Sequence, residues 1–148
     1  MGEIMDPVSQ PHELVNWSVI GAILLALAVG IGAFGAHALQ ARLDAYSRGI
    51  YETAVMYHFF HALGLLIVSF LPRIGALSVS QAGWVCGLLC VGVLLFSGSL
   101  YLLAITGVRK LGAVTPLGGL AFIAAWTLLA YWLAIHPTST PSSQNRGG

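Results

Sequence analysis

Three histidines of this chain lie inside or beside long apolar runs, where imidazole is costly. His37 follows the run that starts near Asn16, and His58 and His61 interrupt the stretch YHFFHALGLL at 57–66. Imidazole can carry a proton, hydrogen-bond at either nitrogen, or ligate zinc or haem iron. An ionisable group at membrane depth is therefore a functional candidate by default. Ser97 and Tyr101 add hydroxyls late in a third apolar run. If these runs are neighbouring antiparallel helices, all five residues fall in one half of the membrane. The expectation is a polar cluster of His37, His58, His61, Ser97 and Tyr101 turned into a helical bundle, because a polar group facing lipid would lack a partner. The same three histidines are the candidate metal ligands, although no metal or other cofactor is expected.

Hydrolytic chemistry has little support. Ser97 and Ser99 sit among small packing residues and have no acid partner, so no nucleophile, base and orienter can be assembled. Glu52 points well away from both His58 and His61 at 100° per residue. It is expected at the interface near a helix N-terminus, with Arg48 one turn earlier as a weak partner. Asp44 reads as a solvated loop charge. Cys86 and Cys90, four residues apart in one span, read as small buried side chains that form neither a disulfide nor a redox pair. No catalytic residue is assigned, and an enzyme is not the expected reading.

The elements that must position these side chains follow from hydropathy. Of 148 residues 57% are hydrophobic and 7% charged, against about a quarter charged in a soluble domain. Lipid is the expected solvent and principal partner. With a formal net charge of +1, nucleic acid is not a partner. Four runs are long enough to cross a hydrocarbon core at about 1.5 Å per residue: 16–39, 51–71, 81–105 and 116–135. The fold class expected is all-α, an integral membrane, antiparallel four-helix transmembrane bundle occupying 16–135, with tails over 1–15 and 136–148. The acidic start MGEIMDPVSQPHELV does not resemble a signal peptide, and the terminal His12 and His136 need no role.

Local signals mark the ends. Pro72 and Arg73 stop the second span; Gly107, Arg109, Lys110 and Gly112 close the third. Thr115 can cap the fourth helix while Pro116 takes its first position. Arg42, Arg48, Arg109 and Lys110 lie in the first and third loops, against Arg73 and Arg146 on the other side. That narrow excess favours both termini outside. Trp17, Trp84 and Trp132 fall on the terminus side, and Tyr46, Tyr51 and Tyr101 on the other, as interfacial anchors would.

Helix packing in lipid depends on small residues and a few interhelical hydrogen bonds. The expected seams are Ala22, Ala26, Gly30, Ala33 and His37; Ala54, His58, His61 and Leu65; Gly83, Gly87, Cys90, Leu94, Ser97 and Tyr101; and Gly118, Ala121, Phe122 and Ala125.

With these residues in view, the chain resembles a bacterial membrane family, domain of unknown function 423, whose eukaryotic relatives are called transmembrane protein 256. The resemblance covers most of 17–135. It rests on GAFGAHAL at 32–39, with Gly32 and Gly35; YHFFHALGLL at 57–66; LFSGSLYLLAITG at 95–107, with Gly98; and TPLGG at 115–119, with Thr115, Pro116, Gly118 and Gly119. It implies a small four-helix protein of the bacterial inner (plasma) membrane with no settled biochemical role. In that family position 58 is often glutamine, a poor transition-metal ligand, which leaves His37 and His61 as the better-matched pair. The function expected is that of a scaffold or accessory protein, with a second copy or other membrane proteins as partners. The alternative is a proton- or metal-linked carrier, or a cofactor-binding protein, using the intramembrane histidines.

Overall fold

A computed structural model describes residues 16–39 and 41–135; the tails expected over 1–15 and 136–148 lie outside these, as do His12 and His136. Four helical spans are long and apolar enough to cross a membrane: Trp17–Leu39, Ala45–Ile74, Val79–Thr106 and Arg109–Ile135. Their α-helical parts are α1 (Trp17–Phe34), α2 (Ala45–Val68), α3 (Val79–Gly92), α4 (Gly98–Thr106) and α5 (Thr115–Ile135). The first span closes with a π-helical turn over Gly35–Leu39, and another, Val93–Ser97, joins α3 to α4 within the third. Short 3-10 segments, Leu71–Ile74 and Arg109–Ala113, occupy the ends of the second and fourth spans.

Side-chain caps set the starts. Asn16 accepts from the Val19 amide at 3.4 Å, and Ser78 and Gln81 form a reciprocal capping box at 3.2 and 2.8 Å, each satisfying amides that have no intrahelical partner. Asp44, expected to be a solvated loop charge, instead caps α2 by accepting from the Ser47 amide at 2.7 Å. The second span consequently begins at Ala45 rather than Tyr51. Its polar first turn hides this start from hydropathy, although the cap supports it. That hydrogen bond also holds the exposed Asp44 carboxyl below its usual value. Gly75 and Gly107 end their helices at φ +71° and +70°, a left-handed conformation that glycine adopts without penalty.

Inside the bundle α1 packs on α2, α2 also meets α3 and α4, and α3 lies against α5. The larger core gathers Leu65, Val85, Leu89, Phe122 and Leu129 from α2, α3 and α5, and a smaller one joins Leu39, Tyr51 and Ala104. Leucines, isoleucines and phenylalanines on the outer faces, such as Ile23, Phe60, Leu94 and Ile123, are exposed, as lipid-facing positions must be.

Close approaches are made at glycine. Gly21 sits against the Leu66 backbone, where a Cβ would lie 3.1 Å from its Cα. A Cβ on Gly118 would come within 2.8 Å of the Phe96 Cα, and one on Gly35 or Gly92 would overlap the rings of Tyr51 and Phe122.

The first span differs from expectation. Ala22, Ala26, Gly30, Ala33 and His37 are all exposed, and the buried positions are Gly21, Leu24, Ala28 and Leu39. Two stripes of small residues run along this span. The inner one is the stripe whose glycines admit the Leu66 backbone and the Tyr51 ring, so His37 is exposed in the middle of the π-helical turn. Leu94 is exposed as well, whereas the seams through α2 and α5 lie inward as expected.

Candidate functional site

The polar side chains of the interior converge on α2. His58 is 4% exposed, and its Nδ1 lies 3.3 Å from the Tyr101 hydroxyl on α4. Nε2 is buried and makes no hydrogen bond. Tyr101 packs on Tyr51, with ring centroids 5.2 Å apart. Tyr51, expected at the interface, is instead buried and donates its hydroxyl to the Ile31 carbonyl at 2.8 Å. His58, Tyr101, Tyr51 and Ile31 thus tie α1, α2 and α4 together. Ser97 is fully buried one turn before Tyr101, and its hydroxyl has no partner.

A second polar link joins α4 to α5. Ser99 donates to the Phe96 carbonyl at 3.0 Å and receives the Thr115 hydroxyl at 2.8 Å. Thr115 is the first residue of α5, and its hydroxyl crosses to α4. That is a correction to the capping role expected of it. Pro116 follows within the first turn, where its missing amide proton costs nothing.

His61, one turn beyond His58, turns to a different seam. Its Nδ1 lies 2.7 Å from the Tyr57 carbonyl, an oxygen that can only accept, so Nδ1 carries the proton and Nε2 of the neutral ring presents a lone pair. The imidazole stacks on Phe122 at a centroid distance of 3.5 Å and an interplanar angle of 19°. Tyr57, Phe96 and Trp126 complete the aromatic surroundings. These rings border a groove of about 420 Å³, also lined by Gly119, Ile123 and Thr127. The π-helical turn Val93–Ser97 supplies Phe96 to this wall, and the absence of a side chain at Gly118 lets α5 reach it.

The structure therefore brings His58 and Tyr101 into contact, keeps Ser97 buried on the same stripe, and separates His61 and His37 from them. Among the described residues no group of three His, Cys, Asp or Glu side chains could hold a metal ion. The only carboxylates there, Asp44 and Glu52, are both exposed. Cys86 and Cys90 are free thiols, with the Cys86 Sγ 3.7 Å from the Leu65 carbonyl. A separate cavity of about 360 Å³ between α1 and α2 is lined by Gly32, Gly35, Tyr51, Arg48, Glu52 and Met56, among others.

Sequence reasoning missed Tyr57, Phe122 and Trp126 as neighbours of His61, and Tyr51 as the ring that packs on Tyr101. The glycines were the available signal, since Gly35, Gly92 and Gly64 each receive one of these rings.

Comparison with known proteins agrees with the architecture. A family model described as "Protein of unknown function (DUF423)" matches residues 31–119. The "UPF0382 membrane protein YwdK" of Bacillus subtilis is 49% identical over 113 residues, 75% of this chain and 89% of the relative. The "UPF0382 membrane protein SH2409" of Staphylococcus haemolyticus is 47% identical over 111 residues, 75% and 88% of the two chains. No solved structure matches. A four-span helical membrane protein carrying these motifs, this chain belongs to the DUF423 family.

Proposed function

We propose that this multi-pass membrane protein is a scaffold or accessory protein of the bacterial inner (plasma) membrane, and that its buried polar groups set helix register. The supporting observation is how those groups are used: Tyr51 to Ile31, His58 to Tyr101 and Ser99 to Thr115 each join different spans. Such bonds contribute on average about 0.6 kcal/mol each in a membrane, enough together to favour one packing over its neighbours. Ionisable groups on an ion pathway pair with one another inside the bundle, whereas His58 pairs with a tyrosine hydroxyl and both described carboxylates are exposed. The bacterial relatives and the helical spans support the inner membrane as its location.

The test is reconstitution into vesicles with an imposed proton or cation gradient, combined with gentle purification from native membranes. The scaffold reading expects leakage equal to that of protein-free vesicles, a co-purifying membrane protein or second copy, and little change in folded yield for His58→Gln. Gradient dissipation that His58→Gln abolishes would refute it. One observation favours a ligand-binding role in addition, the groove at His61.

A further inference from the structure

We infer that the groove between α2, α5 and the Val93–Ser97 turn is a binding site for a membrane-soluble quinol, with one quinol hydroxyl donating to His61 Nε2. This goes beyond the scaffold reading and does not depend on it.

The Tyr57 carbonyl fixes the imidazole tautomer through its 2.7 Å contact with Nδ1, leaving Nε2 as the acceptor. No described side chain donates to that nitrogen. His61 lies near the middle of the span Ala45–Ile74, at a depth where water and lipid headgroups do not supply donors. The donor that satisfies it must therefore dissolve in hydrocarbon. A hydroxyl on an apolar molecule meets that requirement.

The walls select the rest of the ligand. His61, Phe122, Tyr57 and Phe96 stack on one another and with Trp126 give the groove an aromatic wall, which suits a planar ring packed against its edges. No charged residue lines the groove, so the ligand is neutral. Its volume of about 420 Å³ falls within the range of about 300–1,000 Å³ usual for small-molecule sites. The exposed Ile123 and Trp126 at its edge leave a path for an aliphatic tail into the bilayer.

The tautomer makes the recognition redox-selective. A quinol donates to Nε2, whereas its oxidised quinone has only acceptor oxygens and meets a lone pair. The loss of one hydrogen bond corresponds to about tenfold in affinity.

The test uses full-length protein labelled with ¹⁵N-histidine in lipid nanodiscs, titrated with a decyl-tailed benzoquinol, its quinone and its dimethyl ether. His61→Phe, which keeps a ring against Phe122, identifies the resonance. The expected results are an upfield shift of the His61 Nε2 signal with the quinol alone, and quinol binding about tenfold tighter than that of the quinone or ether. Gly119→Leu, placed where a Cβ meets only the Phe96 ring at 3.8 Å, should abolish binding while the circular dichroism stays unchanged. Equal affinity for quinol and ether, an unmoved Nε2 signal, or full binding by His61→Phe would overturn the assignment. So would a haem absorbance band that purifies with the protein and disappears in His61→Phe.

Discussion

His58 and His61 are separated by one helical turn on α2, yet their surroundings have almost nothing in common. His58 is enclosed between α1 and α4, touches a tyrosine hydroxyl and lies out of reach of any ligand. His61 is half-buried among aromatic rings, lines an open groove and keeps one ring nitrogen without a donor. Sequence spacing places them on one stripe, about 60° apart. α4 meets α2 at His58 and α5 meets it at His61, which turns that small difference into two separate seams. A histidine at depth is thus assigned by the helix it meets: α4 makes one a packing residue, and α5 makes the other a wall of a site.

The comparison can be broken most strongly at the glycines beneath each seam. Gly118→Leu should destabilise the protein by about 3 kcal/mol or more, because its side chain would enter the Phe96 backbone, and folded yield in membranes should collapse. Gly35→Ala, on the His58 side, meets the Tyr51 ring. It should cost about 1–3 kcal/mol, and most of that added cost should vanish when Gly35→Ala is made in a Tyr51→Ala background, as measured by unfolding in mixed micelles. Tyr101→Phe should cost about 1 kcal/mol by removing the His58 contact. By contrast, His61→Phe keeps its stack and should change stability by less than about 0.5 kcal/mol. Equal losses for these last two variants would erase the distinction between the histidines.

The smallest effect lies outside both seams, at Asp44. Its carboxyl is depressed by the Ser47 amide, so the capping contribution is complete above the unfolded aspartate value of about 3.9. It is lost as pH falls through the lower folded value. Amide exchange at Ser47 should accelerate on acidification below that range while exchange in the α2 interior remains slow.

Much of this architecture was legible because lipid imposes simple demands: four apolar runs, short connections, Pro72 and Arg73 after the second run and Gly107 after the third. The start of α2 was hidden because AYSRG carries no hydropathy signal, although Asp44 and Ser47 are a capping pair. In the first span, two stripes of small residues compete, and only the groove on α2 that receives Gly21 and Gly35 decides between them. His37 was placed inward through that ambiguity. Depth and stripe place His58 and Tyr101 in one cluster with His37, His61 and Ser97, whereas which of them meet, and Thr115 pointing to Ser99, depends on helix crossings that local patterns do not encode. Neither π-helical turn has a sequence signature, so the position of Phe96 beside His61 could not be read in advance.

The π-helical turn at Val93–Ser97 amounts to one surplus residue in an otherwise regular helix. Were that residue kept at regular α-helical winding, everything after it would be turned by about 100°, carrying the Tyr101 hydroxyl off His58 and Ser99 off Thr115 in one step. The wider turn between Gly92 and Gly98 therefore acts as a phase setting for both polar links, and removing one residue from it would leave a regular helix with both links still aligned.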